Sequence, residues 1–273
     1  MVLLIIPRTI IKHFCCHPLF TNGDIDSNKT ALSHRSIINE NSLLRKHYIY
    51  IYQHFRAIED SLGNMPFPSL EIGSGVGFLK EFIPTVVTSD VVAIEGIDRT
   101  EDATHLTFPN NSLKAIYAKQ VLHHIYDPQK CLEEVQRVLV PGGMFVCDEP
   151  STTLFGYFIN RYFHHEYANK RVIEWKAPTI DTHGWLRYAN TALPYIIFKR
   201  DVDLFRKRLT QLQIISIHYH DFLRYAFSGG LTYRPLIPKL LYDMVDIIEA
   251  AFTPYMSILG TCMIVTIRKT SGG

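Results

Sequence analysis

The chain has 273 residues, of which 47% are hydrophobic and 20% are charged, and this supplies enough apolar material for one large domain. A formal net charge of +2 gives no basic excess for phosphate backbones, so we expect no nucleic-acid partner. The five cysteines follow no disulfide framework, which predicts a reduced, cytoplasmic protein.

The amino-terminal segment is apolar over residues 1–6 and stops at Pro7. It is too short to span a membrane, so we expect a buried or pairing segment, with a peripheral membrane anchor as the alternative. The histidines and cysteines that follow lack a second ligand pair at zinc spacing, so we predict no metal there. These residues are His13, Cys15, Cys16 and His17.

The next elements alternate in type along the chain. Residues 18–38 are polar and predict an irregular arm, and an apolar stripe over 40–62 predicts an amphipathic helix that covers the sheet or forms a lid. The rest reads as strands and helices in turn, which favours a parallel sheet. We predict strands at 69–72, 85–92, 115–122, 144–147, 213–220 and 262–267, and helices at 78–83, 128–139, 201–212 and 238–252.

A glycine-rich loop follows the first strand. Gly73, Gly75 and Gly77 stand at alternate positions, and glycine permits positive φ and close approach of a ligand to the backbone. A strand that enters such a loop and then a helix builds a nucleotide pocket at the carboxyl edge of a sheet. The third glycine of a dinucleotide fingerprint would fall on Phe78, and Glu71 before the loop favours a cationic ligand over a pyrophosphate.

Further polar residues follow the later strands. Asp90 ends the second strand, where its carboxylate can accept hydrogen bonds from ribose hydroxyls or, alternatively, cap a helix or turn. His123 and His124 follow the fourth strand, and Glu149 ends the fifth.

Five motifs in this order resemble those of the class I S-adenosylmethionine-dependent methyltransferases, in the branch that acts mostly on small molecules. The resemblance covers residues 67–150 and includes an acid before the glycine loop, a ribose-binding acid, an L-H-H motif and an E-x-x-R-V-L-x-P-G-G hairpin. The D-A-x-x-L-P-F segment is matched by Asp102, Ala103, Leu106 and Phe108, with Thr107 in place of the proline. The resemblance implies a Rossmann-like, mostly parallel seven-stranded α/β sheet with helices on both faces. It also implies that S-adenosyl-L-methionine is held by Glu71, Gly73, Ser74, Gly75, Gly77, Asp90, Asp102, Ala103, Lys119 and Gln120.

The sequence departs from the family pattern in two places. Only 11 residues separate Asp90 from Asp102, and a parallel crossover needs about a dozen or more, so we expect a vestigial helix between strands two and three. The N/D-P-P-aromatic motif of enzymes that methylate base amines is absent after the fourth strand, so nucleobases are not the expected acceptors.

Methyl transfer from a sulfonium depends mainly on the positioning of the acceptor, although a hydroxyl acceptor also benefits from a general base. His124 is the first candidate, and His123 should point the opposite way if the strand continues. Packing or capping is the alternative role for each histidine. The other candidates are Glu149 and the run of His164, His165 and Glu166. No metal is expected.

These observations predict four segments: an arm and cap helix (1–66), a cofactor-binding half (67–149), an aromatic-rich acceptor insertion (150–195) and the remaining half of the sheet (196–273). The predicted function is O-methylation of a small molecule, a glycan or a lipid-linked glycan. The later part of the chain is also similar to uncharacterised bacterial members connected with surface-glycan assembly. The alternatives are a nicotinamide-dependent oxidoreductase and a non-catalytic protein that binds the cofactor.

Overall fold

The computed structural model describes residues 17–18, 28–75, 77–162, 167–178 and 188–271. Two helices precede the sheet, α1 (Asn28–Glu40) and α2 (Ser42–Ser61). The prediction of an irregular arm is wrong from residue 28 onward, because Ile37 and Ile38 are buried against the same core as α2. Asn41 separates the two helices, and its side chain accepts a hydrogen bond from the Leu44 amide, which caps α2.

A seven-stranded sheet forms the centre of the molecule. The strand order is β3-β2-β1-β4-β5-β7-β6, in which β1 to β5 are parallel and β7 is antiparallel to both of its neighbours. The predicted α/β class with a mostly parallel seven-stranded sheet is therefore confirmed. The strands are β1 (Ser69–Ile72), β2 (Val87–Asp90), β3 (Arg99–Thr100), β4 (Leu113–Lys119), β5 (Leu139–Pro150), β6 (Leu212–His220) and β7 (Cys262–Lys269).

Helices cover both faces of this sheet, as expected. Ile116 and Ala118 of β4 belong to one core, and the alternate residues Ala115 and Tyr117 belong to the other, where Phe55 of α2 packs. The remaining helices are α3 (Pro128–Val138), α4 (Leu154–Tyr162), α5 (Leu193–Tyr195), α6 (Val202–Arg208), α7 (Arg224–Ser228), α8 (Tyr242–Phe252) and α9 (Met256–Leu259). No helix in the described ranges is both long and apolar enough to cross a bilayer.

The connection between β2 and β3 contains no helix within its described residues, 91–98, and this confirms the vestigial crossover. Asp98 closes it, because one carboxylate oxygen accepts hydrogen bonds from the Thr88 amide (2.8 Å) and the Thr88 hydroxyl (3.0 Å). A side chain thus supplies the order that a crossover helix would otherwise provide.

The carboxyl ends of the parallel strands meet at one edge of the sheet. The glycine loop, Asp90, Lys119 and Glu149 lie there, and β6, which runs in the same direction as β5, adds His220. Polar side chains from five strands thus lie near one another at this edge.

Candidate functional site

The glycine loop has the backbone that the sequence predicts. Gly73, Gly75 and Gly77 have φ values of 63°, 49° and 68°, in the left-handed region that favours glycine. A Cβ on Gly73 would lie 2.4 Å from Cγ2 of Val121, whereas a Cβ on Gly75 or Gly77 would meet nothing within 4 Å. The loop is therefore packed at its first glycine and open at the next two, where a ligand could lie against the backbone.

Hydrogen bonds fix this loop to the end of β2. The Ser74 amide donates to the Ser89 carbonyl (2.8 Å), and the Ser89 amide donates to the Ser74 hydroxyl (3.0 Å). The Gly75 amide donates to Oδ2 of Asp90 at 3.0 Å. The structure thus brings the acid predicted to bind ribose directly beside the glycine loop, and its role in binding stays a prediction.

Glu71 lies beneath the loop with only 1% of its surface exposed. Its Oε2 has no hydrogen-bond partner among the described residues. Burial raises the pKa of this carboxyl to about 8, with nearby Asp90 adding to the effect and Ser74 and Lys119 opposing it. A neutral acid with an unused oxygen is suited to receive a cation, because an approaching positive charge stabilises the ionised form. Together with the open glycines, it fits a cationic nucleoside such as S-adenosylmethionine.

The segment after β3 runs alongside Asp90, because the Glu101 amide donates to the Asp90 carbonyl at 2.9 Å. Asp102 is exposed, and its Oδ1 accepts hydrogen bonds from the amide and hydroxyl of Thr104. Ala103 is half-buried against the core. Thr107, at the position where the family has proline, donates to Glu101 through its amide (2.9 Å) and hydroxyl (2.6 Å). Asp102 shapes a turn here, and its contact with a cofactor is still only predicted.

Lys119 and Gln120 end β4 beside this loop. The Lys119 ammonium lies 3.9 Å from the centre of the Tyr48 ring. Burial lowers the pKa of Lys119, but Tyr48 and Asp148 outweigh it, so the pKa lies above its ordinary value. Gln120 has φ of 58°, which costs a non-glycine residue about 1 kcal/mol or more. Its amide donates to the Asp148 carbonyl (2.7 Å) and its side chain to Oδ2 of Asp148 (3.2 Å).

Glu149 holds the turn that follows β4. Its Oε1 accepts hydrogen bonds from the amides of Val121 (3.0 Å) and Leu122 (2.7 Å), and Oε2 lies 2.6 Å from Nδ1 of His123. The side chain is fully buried. Glu149 therefore orders residues 121–123, and its part in the chemistry stays a prediction.

The two adjacent histidines do not point in opposite directions. β4 ends at Lys119 and residues Leu122–His124 form a 3₁₀ turn, so the rings of His123 and His124 lie 4.1 Å apart. Nδ1 of half-buried His124 lies 3.1 Å from the Tyr188 carbonyl. Because a carbonyl oxygen only accepts, Nδ1 is the donor in this contact. His164 and His165 lie outside the described residues.

A buried polar cluster that the sequence does not predict lies at the same edge, formed by His47, Asp148, His220 and Asp221. Nε2 of His220 lies 2.7 Å from Oδ1 of Asp148, and Nδ1 of His47 contacts Oδ2 of Asp221. Burial lowers the pKa of His220, but Asp148 and Asp221 outweigh it and raise the value to about 9. Alternation along a strand places His218 and His220 on the same face of the sheet. No local sequence pattern predicts that this strand end meets His47 of α2, since His47 and Asp221 are 174 residues apart.

Part of the aromatic-rich segment is described. Phe155 packs edge-on against Phe222 with ring centres 4.9 Å apart, and Phe158 is partly exposed. Trp175 belongs to the core, and its Nε1 donates to Asp201 at 3.1 Å. These rings divide between core and surface.

The part of the chain that carries the glycine loop is similar to a known protein family. Residues 70–147 match the model of a family described as "Methyltransferase domain". This segment is therefore similar to a methyltransferase domain. This similarity agrees with the fit of Glu71 and the glycine loop to a cationic nucleoside such as S-adenosylmethionine.

Two of the curated proteins that match part of this chain are methyltransferases. Demethylmenaquinone methyltransferase of Geobacillus kaustophilus (strain HTA426) is 32% identical over 94 residues, which are 34% of this chain and 40% of the relative. Cycloartenol-C-24-methyltransferase of Arabidopsis thaliana is 30% identical over 120 residues, 36% of this chain and 35% of the relative. The chain thus spans about two fifths or less of the length of these relatives.

Solved structures of methyltransferases are similar to this chain over more of its length. Geranyl diphosphate C-methyltransferase from Streptomyces coelicolor A3(2) is 13% identical, with 94% of this chain and 92% of that one covered and a TM-score of 0.46. A SAM dependent methyltransferase from Archaeoglobus fulgidus is 12% identical, with 81% and 93% covered and a TM-score of 0.46.

Proposed function

We propose that this protein transfers a methyl group from S-adenosylmethionine to a hydroxyl of a small-molecule or lipid-linked acceptor, such as a lipid-linked glycan. The observation that carries the proposal is the arrangement of Glu71, the open glycines and Asp90 at one edge of the sheet. The bound cofactor supplies an activated methyl group on a sulfonium.

Each residue in and around the loop contacts a different part of the proposed cofactor. The backbone at Gly75 and Gly77 lies against the nucleoside, and Asp90 accepts hydrogen bonds from ribose hydroxyls. Glu71 ionises as the cationic end approaches, which stabilises the complex. Lys119 and Gln120 close the pocket on the side of β4, and Asp102 and Ala103 line it beside β3.

An exposed apolar stripe supports an apolar acceptor. α8 buries Tyr242, Val245 and Glu249 on one side. Met244 and Ile247 of α8 are exposed, and so are apolar side chains of the segments just before and after this helix; we call these residues together the apolar stripe. The stripe consists of Leu236, Leu240, Met244, Ile247, Tyr255 and Ile258, exposed by 48% to 81%.

Aromatic rings connect the apolar stripe to the carboxyl edge of the sheet. Phe252 lies 6.2 Å from Tyr255 of the stripe and 5.6 Å from Phe222, which contacts Phe155 of α4. Because α4 directly follows β5, these rings form a continuous apolar path toward the predicted acceptor side. The two relatives are named for demethylmenaquinone and cycloartenol, which are both lipids. We therefore assign the stripe to a lipid surface, with the protein bound peripherally.

His124 is the general base of the proposed reaction. Its Nδ1 donates to the Tyr188 carbonyl, so Nε2 is the atom that takes the proton from the acceptor hydroxyl while the oxygen forms its bond to the methyl carbon. With S-adenosylmethionine bound, the donor would be left as a neutral thioether, and His124 would hold the proton and the positive charge as an imidazolium. Glu149 positions His124 for this step, because it binds the amides of Val121 and Leu122 in the same turn.

Calorimetric titration with S-adenosylmethionine and with NAD tests the cofactor. We expect S-adenosylmethionine to bind, and Asp90→Ala to weaken binding by about ten- to a hundredfold, because hydrogen bonds to a charged group contribute about 1.5–3 kcal/mol. Asp203→Ala, at an exposed site on α6, is the matched control. Binding of NAD without S-adenosylmethionine would overturn the proposal.

The acceptor is found by incubation of protein and cofactor with glycolipid and small-molecule fractions, followed by mass spectrometry. The expected result is one species that gains the mass of a methylene unit with the wild type and not with Asp90→Ala. Binding of the cofactor without any methylated product would indicate a binding protein.

A further inference from the structure

The buried cluster at the carboxyl edge has the composition of a metal site. His47 lies in α2, His220 is the last residue of β6, and Asp221 follows it. All three are at most 3% exposed. One ligand atom from each lies within 4.8 Å of the others. Two imidazoles and a carboxylate from two distant parts of the chain thus converge in the interior.

Neighbouring side chains orient two of the three groups toward a common point. Nε2 of His220 donates to Oδ1 of Asp148 at 2.7 Å, so Nδ1 is directed at Oδ2 of Asp221, 3.4 Å away. Nδ1 has no hydrogen-bond partner among the described residues. A carboxylate on the far nitrogen is the usual outer support of a metal-bound histidine, because it fixes the tautomer and the ring.

The ligating carboxylate has a similar support. Arg224 donates to Oδ1 of Asp221 at 3.2 Å, which leaves Oδ2 between the two histidines. Asp221 has φ of 55°, and its carbonyl accepts hydrogen bonds from the amide (2.8 Å) and hydroxyl (2.6 Å) of Thr261. These bonds hold an unusual backbone conformation that directs the side chain inward.

The second histidine completes the set. His47 contacts Oδ2 of Asp221 through Nδ1, and its Nε2 has no hydrogen-bond partner in the described part of the chain. Its ring is stacked on that of His220, with centres 6.1 Å apart. Buried polar atoms without hydrogen-bond partners are rare, and Nδ1 of His220, which faces Oδ2 of Asp221, is one of them.

We propose that His47, His220 and Asp221 bind a divalent transition metal such as Zn²⁺. Imidazole nitrogens suit Zn²⁺, Fe²⁺ and Ni²⁺, whereas Mg²⁺ prefers oxygen ligands and binds imidazole weakly. Three protein ligands leave a fourth position for a water or a ligand oxygen. Asp148 also accepts a hydrogen bond from Gln120, so the metal would lie beside the proposed cofactor pocket.

Metal binding to the full chain tests this assignment independently of methyl transfer. The protein is freed of metal with a chelator, and Zn²⁺ is titrated by calorimetry and Co²⁺ by visible absorption. We expect binding of one ion per chain, tetrahedral cobalt bands and a higher Tm with metal. Asp148→Asn, which changes the outer support and removes none of the proposed ligands, should weaken binding about ten- to a hundredfold.

His47→Gln and Asp221→Asn should each abolish the cobalt bands, and His54→Gln, which changes another histidine of α2, should leave them intact. If His47→Gln fails to fold, the loss of cobalt bands in Asp221→Asn and the weaker binding in Asp148→Asn still test the site. Cobalt bands of equal strength in the wild type and in either ligand variant would place the metal elsewhere and overturn the proposal. No uptake of metal by the folded wild type would also overturn it.

Discussion

At the scale of single residues, Glu71 shows how a buried acid can be kept for a ligand. An isolated carboxyl that is 1% exposed keeps its proton at neutral pH, because the interior disfavours the charged form. The unpartnered Oε2 means that the fold itself makes little use of the charge. A residue that lowers stability when ionised is expected at a site where a ligand supplies the missing positive charge.

Glu71→Gln should remove one component of the pH dependence of stability. The pKa in the folded protein, about 8, lies above the ordinary value of 4.5, so the stability contribution is complete below about 4.5 and is lost as the pH rises to 8. The unfolding free energy of the variant relative to the wild type should therefore increase with pH across this window, by at most about 1.4 kcal/mol per unit. Urea unfolding at several pH values measures it, with Glu133→Gln on the exposed face of α3 as control. Parallel curves for variant and wild type would contradict the raised pKa.

Individual residues differ in how far the sequence predicts their place. Glu71, Gly73 and Asp90 lie within one strand–loop–strand unit, and local spacing predicts that they meet. The contact of His47 with Asp221 joins residues 174 apart, and no local pattern specifies it. The roles of His124 and Glu149 depend on a turn that the sequence does not reveal.

At the scale of elements, the strands and helices of the core agree with the predictions to within a few residues, because each has an apolar pattern of its own. The two-residue β3 has no such pattern, and the sequence therefore does not predict a strand there. The predicted strand over 115–122 stops at Lys119, since Glu149 binds the amides of Val121 and Leu122 and draws the chain into a 3₁₀ turn. A distant side chain thus decides where β4 ends.

The contact between the glycine loop and this turn can be measured by substitution. Gly73→Ala should destabilise the protein by about 2–4 kcal/mol, because it combines positive φ with a Cβ placed 2.4 Å from Val121. Gly63→Ala has a similar φ and nothing within 4 Å, so it should cost only about 1–2 kcal/mol. Unfolding in urea gives both values.

A double-mutant cycle separates the steric part of this cost. Val121→Ala should recover about 1 kcal/mol or more in the Gly73→Ala background and none in the Gly63→Ala background. Strict additivity of Gly73→Ala and Val121→Ala would show that the two elements do not press on each other.

At the scale of the whole molecule, polar and apolar functions meet at one edge of the sheet. The parallel strands bring the predicted cofactor-binding residues to that edge, β6 brings His220 of the buried cluster there, and Phe155 of α4 begins the path of aromatic rings to the apolar stripe. The sequence predicts the edge, since parallel strands always bring their carboxyl ends together. It does not predict the exposure of Met244 and Ile247, because an apolar helix face normally packs inward, and here α8 also buries its opposite side.

The orientation of the molecule on a lipid surface follows from this arrangement. The wild type should bury the apolar stripe in phosphatidylcholine vesicles and therefore sediment together with them. Met244→Glu combined with Ile247→Glu should reduce binding at least tenfold, because each substitution forfeits about 1–2 kcal/mol of apolar burial, while binding of S-adenosylmethionine is unchanged. Ile173→Glu, at an apolar side chain that is 89% exposed outside the stripe, is the control and should sediment like the wild type. A wild type that remains in the supernatant, or that forms a dimer disrupted by the same two substitutions, would assign the stripe to a protein partner instead of a membrane.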